Sequence, residues 1–515
     1  MSDTAGRFGA PFRFRAFSVG DGWPYSVPMR RTRQLPLILA AAAGLAGCAT
    51  NPATGRTDIV TMSAAQEMQV GREMHPQILQ TYGRYSDEAL QAYVSDLGQR
   101  IVAVSHRPDV QFTFTVLDSE EVNAFALPGY VYITRGILAY LNSEAELAAV
   151  LGHEVGHVTA RHAVRQQTGA TAAGVGATLI GVLTGSGGLA SLADFAGSAL
   201  VSGYGRDMEL EADQLGAEYL VRLGYSPQAM IDVVRLLKNQ ETFEIQMARQ
   251  EGREPRIYHG LFSTHPDADT RLQEVVAAAG KNGAGDPTRP DGRDEYLKRI
   301  DGMPLGPSRE QGVVRGSRFY HGTLGVTIAF PTGWKVQNLP TKVIATSPQK
   351  DAFLQVSAVP PGPGMQARDV LTRSLQGIPL SGGEPLRVNG LEGYTAVARE
   401  VGLPWGNRGP LRTAAIDCNG LTYLMNGGTR LASAFGTADP VLLSSIKTFR
   451  RLRDNELHLA EPNRITLVKA VPGTSIEALA AASPLERYPA ERLRLLNDLY
   501  PNREPAAGQW VKVVE

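Results

Sequence analysis

The sequence predicts an α+β chain of several domains: a mainly helical first domain with a small sheet, then a mixed α+β domain, then a short final module. Three observations predict this. At 515 residues the chain is longer than one hydrophobic core organises, so roughly two to four domains are expected. Helical spacing of apolar residues dominates the first half, whereas strand-like runs take over after residue 318. Between the two textures, residues 281–318 are rich in Gly, Pro, Asp and Arg and read as an interdomain linker.

In the first domain, residues 63–105 repeat apolar positions at helical spacing, as in Leu90, Tyr93, Val94, Leu97 and Ile101. Residues 111–117 and 129–134 read as strands. Ser143, with Glu146 three residues later, forms a capping box that opens a helix expected to run to residue 167. Residues 168–193 carry no charge and are dense in Gly and Ala; they read as two short helices about a Gly-rich turn, with a membrane span as the alternative. A helix over 206–223 stops at Gly224, and Ser226-Pro227 starts the next. Past the linker, strands are expected at 323–330, 343–347, 353–359, 394–401 and 412–424, and helices at 367–376 and 440–449.

Composition excludes little, but it does exclude something. Lys+Arg and Asp+Glu balance at 51 each, and no long basic run offers a nucleic-acid surface. At the N-terminus, Arg30, Arg31 and Arg33 precede an uncharged Leu- and Ala-rich stretch at 35–46, which exits through small residues to Cys48. That is the build of a secretory signal, and the apolar run is short for a bilayer span. Leu45-Ala46-Gly47-Cys48 resembles the bacterial lipobox, which implies that Cys48 is lipidated and becomes the mature N-terminus. The alternative is a buried helix with an ordinary cysteine. Met29 stands where such a signal normally begins, so 1–28 read as the product of a start assigned too early, against a disordered extension. Residues 51–57 suit a tether, and Cys418 is left as a lone thiol.

The densest signal is His153-Glu154-Val155-Gly156-His157, an HExxH motif inside a helix. Residues four apart share a helix face, so both imidazoles reach one ion. Glu154 projects about 100° around the axis and stands beside the metal as a general base for the attacking water. A catalytic zinc takes three protein ligands and keeps one position open. No histidine stands six residues after His157, where Ala163 lies, and His162 is one residue short and expected to point elsewhere. The third ligand is sought in Glu209-Leu210-Glu211-Ala212-Asp213: Glu209 and Asp213 share a face, so one can ligate while the other holds a ligand histidine, and Glu211 lies off that face and is expected to be solvated.

HExxH followed by ExEAD resembles the M48 peptidases, over about 63–279. Asn123-Ala124-Phe125-Ala126-Leu127-Pro128-Gly129 is similar to that family's NAFxxPG segment, and Ser263-Thr264-His265-Pro266 with Arg271 to its STHP…R segment. The resemblance implies a mainly helical zincin protease domain with a small edge sheet, holding one Zn2+ per chain on His153, His157 and Glu209. It places His265 near the metal as a substrate contact or a plug, with His265 or Arg271 as oxyanion donor. Substrate is expected as an added strand beside Asn123 and along Tyr130, Val131 and Tyr132, a mode that suits unfolded or misassembled proteins. Gly205 stands where relatives often carry Ser.

The end of the chain, with Val471-Pro472-Gly473-Thr474, Leu495-Leu496-Asn497 and Gly508-Gln509-Trp510-Val511, is similar to a LysM module. The resemblance implies contact with peptidoglycan glycans; the missing turn Asp and the longer middle leave a packing-only module as the alternative. The expected organisation is therefore a leader with signal peptide at 1–48, a protease domain at 49–280, a linker at 281–318, an accessory α+β domain at 319–452 and a LysM-like module at 463–515. Its expected place is the periplasmic face of the outer membrane, held by lipid. Two other readings stay open: a non-catalytic envelope-binding lipoprotein, and an integral-membrane CaaX-type protease.

Overall fold

The computed structural model describes residues 47–53, 55, 57–60, 62–166, 204–253, 255, 290–339 and 341–515. The Gly-rich 168–193 stretch, the signal stretch 35–46, His265 and Arg271 lie outside them.

A small hairpin, β1 (Gly47–Thr50) with β2 (Thr57–Val60), sets Cys48 opposite Ile59. Ser63 then caps α1 (Ala64–Tyr82) through a full capping box with Gln66, and Asp87 caps α2 (Glu88–Val104). The α2 residues that carried the helical period, Leu90, Val94, Leu97 and Ile101, are all buried.

Three strands follow: β3 (Thr113–Leu117), β4 (Ala124–Leu127) and β5 (Tyr130–Thr134). Their order is β3-β5-β4, parallel on one side of β5 and antiparallel on the other. The strand expected to receive substrate, β5, is thus the middle strand: its main-chain groups serve β3 and β4, and Val131 and Tyr132 are buried. The outer strands of this sheet are β3 and β4, of which β4 follows Asn123 and packs beside the HExxH helix. The expectation that Tyr130, Val131 and Tyr132 form an open edge is therefore not met.

After α3 (Arg135–Tyr140) comes α4 (Glu144–Thr159), the HExxH helix. Ser143 Oγ accepts from Glu146 N as expected, but the Glu146 carboxylate reaches one residue further back, to Asn142 N. The helix does not run unbroken to 167. Arg161 takes a left-handed conformation (φ 57°), after which a new helical stretch covers 162–166. A non-glycine residue there costs roughly 1–2 kcal/mol. Buried contacts offset it: Arg161 donates to Glu67 Oε2 and to Met62 O, both at 2.9 Å.

Helix α5 (Arg206–Arg222) lies against α4, and α6 (Gln228–Gln250) follows. The close approach of α4 and α5 runs through glycine. A Cβ on Gly156 would stand 3.1 Å from Ala212 O, and one on Gly216 would stand 3.0 Å from His153 N. No described helix is long and apolar enough to cross a membrane.

The stretch read as a linker contains α7 (Arg293–Ile300), whose Tyr296, Leu297 and Ile300 are fully buried in the same core as α2, α4 and α6. Polar composition hid three large apolar residues at 296, 297 and 300, one helix face.

The accessory domain has two sheets. One is β6 (Val313–Arg315), β7 (Arg318–His321) and β8 (Val326–Ala329), joined by β16 (Arg450–Arg451). The other holds β9 (Lys335–Leu339), β10 (Lys342–Thr346), β11 (Ala352–Val359), β12 (Leu380–Val388), β13 (Leu391–Gly402), β14 (Arg408–Cys418) and β15 (Leu421–Thr429), antiparallel throughout. The single strand expected at 412–424 is the hairpin β14–β15, turned by Asn419, which accepts φ 50°, and Gly420. Helix α8 (Ala367–Ser374) covers one face of this sheet and α9 (Phe435–Ile446) the other. Cys418 is buried on the α9 side.

The final module is β17 (Ile465–Lys469), α10 (Ile476–Ala481), α11 (Pro489–Leu496) and β18 (Trp510–Val514), with β17 and β18 antiparallel. Ile465, Ile476, Leu493, Leu496 and Val511 join the same core as α2, α4 and α6. Lys512 is fully buried, and its Nζ donates to Ala139 O and Leu141 O at 2.8 Å, closing the C-terminal end of α3.

Candidate metal centre

Positions 153 and 157 fall on one face of α4, and the structure turns both imidazoles toward α5. Their Nε2 atoms stand 2.9 Å apart. Glu209, in the first turn of α5, brings one carboxylate oxygen to 3.6 Å from His153 Nε2 and the other to 3.5 Å from His157 Nε2. Among the described residues these three are the one cluster of metal-ligating side chains, with ligand atoms within 4.8 Å of one another. Donors about 2.0–2.1 Å from a shared tetrahedral ion lie roughly 3.3 Å apart, so the spacing fits zinc. The charge fits as well. Glu154, Glu209 and Asp213 are each no more than 1% exposed, and three buried carboxylates call for a compact cation.

Asp213 stands one turn after Glu209 and accepts from His153 Nδ1 at 2.8 Å, which leaves Nε2 for the ion. Two expectations fail here. His162 does not point away: five residues after His157 it would sit about 140° around a continuous helix, but the break at Arg161 swings it back. Its Nδ1 lies 2.8 Å from His157 Nδ1, and the side chain is fully buried. Glu211 is not simply solvated: it lies 3.2 Å from His162 Nε2, accepts from Arg165 at 2.7 Å, and accepts from Asn51 at 3.0 Å. Burial favours its neutral acid, but the bonds to His162 and Arg165 outweigh that and bring its pKa to about 2. Burial pushes His162 toward its neutral form.

Tyr204 is a third residue that motif reading missed. Its ring stacks on His157 with centroids 4.2 Å apart and planes 21° from parallel. Burial, with the Glu154 and Glu209 charges, pushes its phenol up. Of the substrate-strand candidates, Tyr130 is half-buried and stacks on His75 at 4.5 Å, while His75 Nδ1 meets Tyr132 Oη at 2.8 Å. Asn123 is buried at the start of β4.

Residues 88–279 match the profile of Peptidase family M48. Over this segment the chain is similar to the M48 metallopeptidases. The Beta-barrel assembly-enhancing protease of Escherichia coli (strain K12) is 33% identical over 237 residues, covering 44% of this chain and 46% of that protein. The Mitochondrial metalloendopeptidase OMA1 of Schizosaccharomyces pombe is 28% identical over 232 residues, covering 44% and 64%. Metalloprotease YcaL of Escherichia coli (strain K12) is 28% identical over 166 residues, covering 32% and 60%. The chain spans about half the length of the first of these relatives. The shared segment holds His153, His157 and Glu209 and leaves the accessory domain and the final module outside it.

Proposed function

We propose that the protein is a zinc-dependent endopeptidase that cleaves unfolded or misassembled proteins of the cell envelope. The convergence of His153, His157 and Glu209 with Glu154 in a buried M48 centre carries this reading. A bound zinc would supply polarisation of the scissile carbonyl and acidify the attacking water. Glu154 takes the water's proton and returns it to the leaving amine. Asp213 fixes the His153 ring through Nδ1. Among the described residues the outer edge of β4 has no partner strand, and such an edge holds an extended polypeptide through main-chain bonds without demanding a particular sequence. His265 and Arg271 are the proposed oxyanion or plug groups.

The envelope assignment rests on the signal-like N-terminus with Cys48, and on relatives that include a Beta-barrel assembly-enhancing protease. Lipid on Cys48 and glycan contact by the final module belong to the same proposal; the β17-α10-α11-β18 order supports the LysM likeness. The test compares wild type with Glu154→Gln for zinc content and casein cleavage. Glutamine keeps the shape and cannot take the proton, so cleavage falls at least ~10²-fold with zinc retained. Near-normal cleavage by the variant would sink the reading.

A further inference from the structure

The two ligand histidines are held differently. His153 Nδ1 goes straight to a carboxylate, Asp213. His157 Nδ1 instead meets another imidazole, His162, and that ring passes on to Glu211. The other Glu211 oxygen accepts from Asn51 Nδ2 at 3.0 Å, and Asn51 is itself buried. Asn51 stands three residues after Cys48, directly following β1.

The polarity of this line is determined by proton counting. If His157 Nε2 is to offer a lone pair to an ion, its Nδ1 carries the hydrogen and donates. His162 Nδ1 must then accept, so His162 carries its own hydrogen on Nε2 and donates to Glu211. A carboxylate only accepts, so the far end permits no other direction. Arg165 and Asn51, both donors, hold that carboxylate in place. Each bond therefore favours the tautomer of His157 that binds metal.

We infer that His162, Glu211 and Asn51 are positioning residues that lock His157 in its metal-binding tautomer and orientation, and that Asn51 makes the Cys48-bearing strand part of this brace. The inference rests on the zinc-peptidase reading. It deepens that reading by tying metal retention to the segment where the chain is proposed to leave the membrane. Partners behind a ligand histidine typically contribute ~10–100-fold in metal affinity.

The test is zinc affinity of the full chain by competition with a chromophoric chelator, together with the visible spectrum of the Co2+-loaded protein. His162→Leu removes both bonds and is expected to weaken zinc ~10–100-fold and to shift the Co2+ bands. His162→Gln restores both: its amide oxygen accepts from His157 and its NH2 donates to Glu211. It is expected to keep affinity and spectrum near wild type. Glu211→Ala, at a half-buried site, removes the acceptor, weakens zinc in the same direction and serves if His162→Leu does not fold. Asn51→Ala gives a smaller, several-fold loss. Wild-type affinity and spectrum in His162→Leu, or in Glu211→Ala, would overturn the brace. So would a His162→Gln variant as weak as His162→Leu, which would show packing alone. Unchanged affinity in Asn51→Ala would cut the N-terminal strand out of it. A wild-type chain that binds no zinc would instead overturn the peptidase reading.

Discussion

Replacing Gly216 by Val tests whether helix spacing sets the metal centre. Even the Cβ would stand 3.0 Å from His153 N and 3.3 Å from Gly152 C, with Met230 Cε at 2.6 Å. The methionine can move aside, but the backbone nitrogen belongs to a proposed ligand, so α4 must shift at that residue. Overpacking of this kind costs about 1–3 kcal/mol. For a domain of 150–250 residues each kcal/mol lowers Tm by roughly 2–4 °C, so a fall of about 4–8 °C is expected at the middle of that range. If even 1.4 kcal/mol of the strain reaches the site, zinc affinity falls about tenfold. Gly152→Ala is the matched control. Its Cβ would meet Gly216 at 3.4 Å, an ordinary contact, and alanine favours a helix interior by up to about 1 kcal/mol. That variant should keep zinc and lose no stability. Thermal unfolding of the metal-free protein and chelator competition read both effects. Equal behaviour of the two variants, or a Gly216→Val protein with unchanged Tm and affinity, would refute the reasoning.

Three further outcomes are expected. Lys512→Ala leaves two buried carbonyls of the α3 terminus without their donor, at about 1–3 kcal/mol each, so urea unfolding should show a loss of about 2–6 kcal/mol. His321 is buried in the accessory domain and its pKa is pushed down to about 4; the unfolded chain takes up the proton near 6.5. Stability from the neutral ring is thus present above pH 6.5 and lost as pH falls toward 4, by about 3 kcal/mol at most, and His321→Gln should flatten that slope in denaturant titrations. Finally, replacing 307–461 with a short turn should leave zinc affinity unchanged, because Pro304 and Arg464 already pair across the base of that insertion.

The sequence made the ligands legible and their support illegible. HExxH and ExEAD each obey helical spacing, so His153 and His157 could be paired from number alone and Glu209 set on one face with Asp213, while the family resemblance chose Glu209 over Asp213 as the proposed ligand. His162 and Glu211 could not, because their meeting depends on a left-handed residue at Arg161. Arginine gives no turn signal of the kind glycine gives; the cause is a buried carboxylate, Glu67, almost a hundred residues earlier. Tyr204 has no periodic signature, since it lies just before α5 and acts through ring stacking. The error over β5 has a related origin. A run such as Tyr130-Val131-Tyr132-Ile133-Thr134 shows strand propensity, but propensity does not say who the neighbours are.

The same distinction between local and distant information explains the domain plan. Residues 302–305 and 463–465 pair with each other: Gly302 N donates to Ile465 O, Ile465 N to Met303 O, and Leu305 N to Asn463 O. The accessory domain is therefore inserted on a paired stem, and the chain returns from it to finish the first core with β17, β18 and Lys512. Arg135 fastens the stem from the protease side, donating to Pro304 O and Gly306 O while it pairs with Asp118. The stem carbonyls solvate that buried guanidinium beside Asp118, and removing a partner from a buried charge costs about 3–5 kcal/mol. Stability of the metal-bearing helices is thus coupled to a segment more than three hundred residues later in the chain. Read in linear order the final module looks like an appendage that binds something else. By the contacts of its own apolar residues, it is a wall of the core that carries the metal-centre helices.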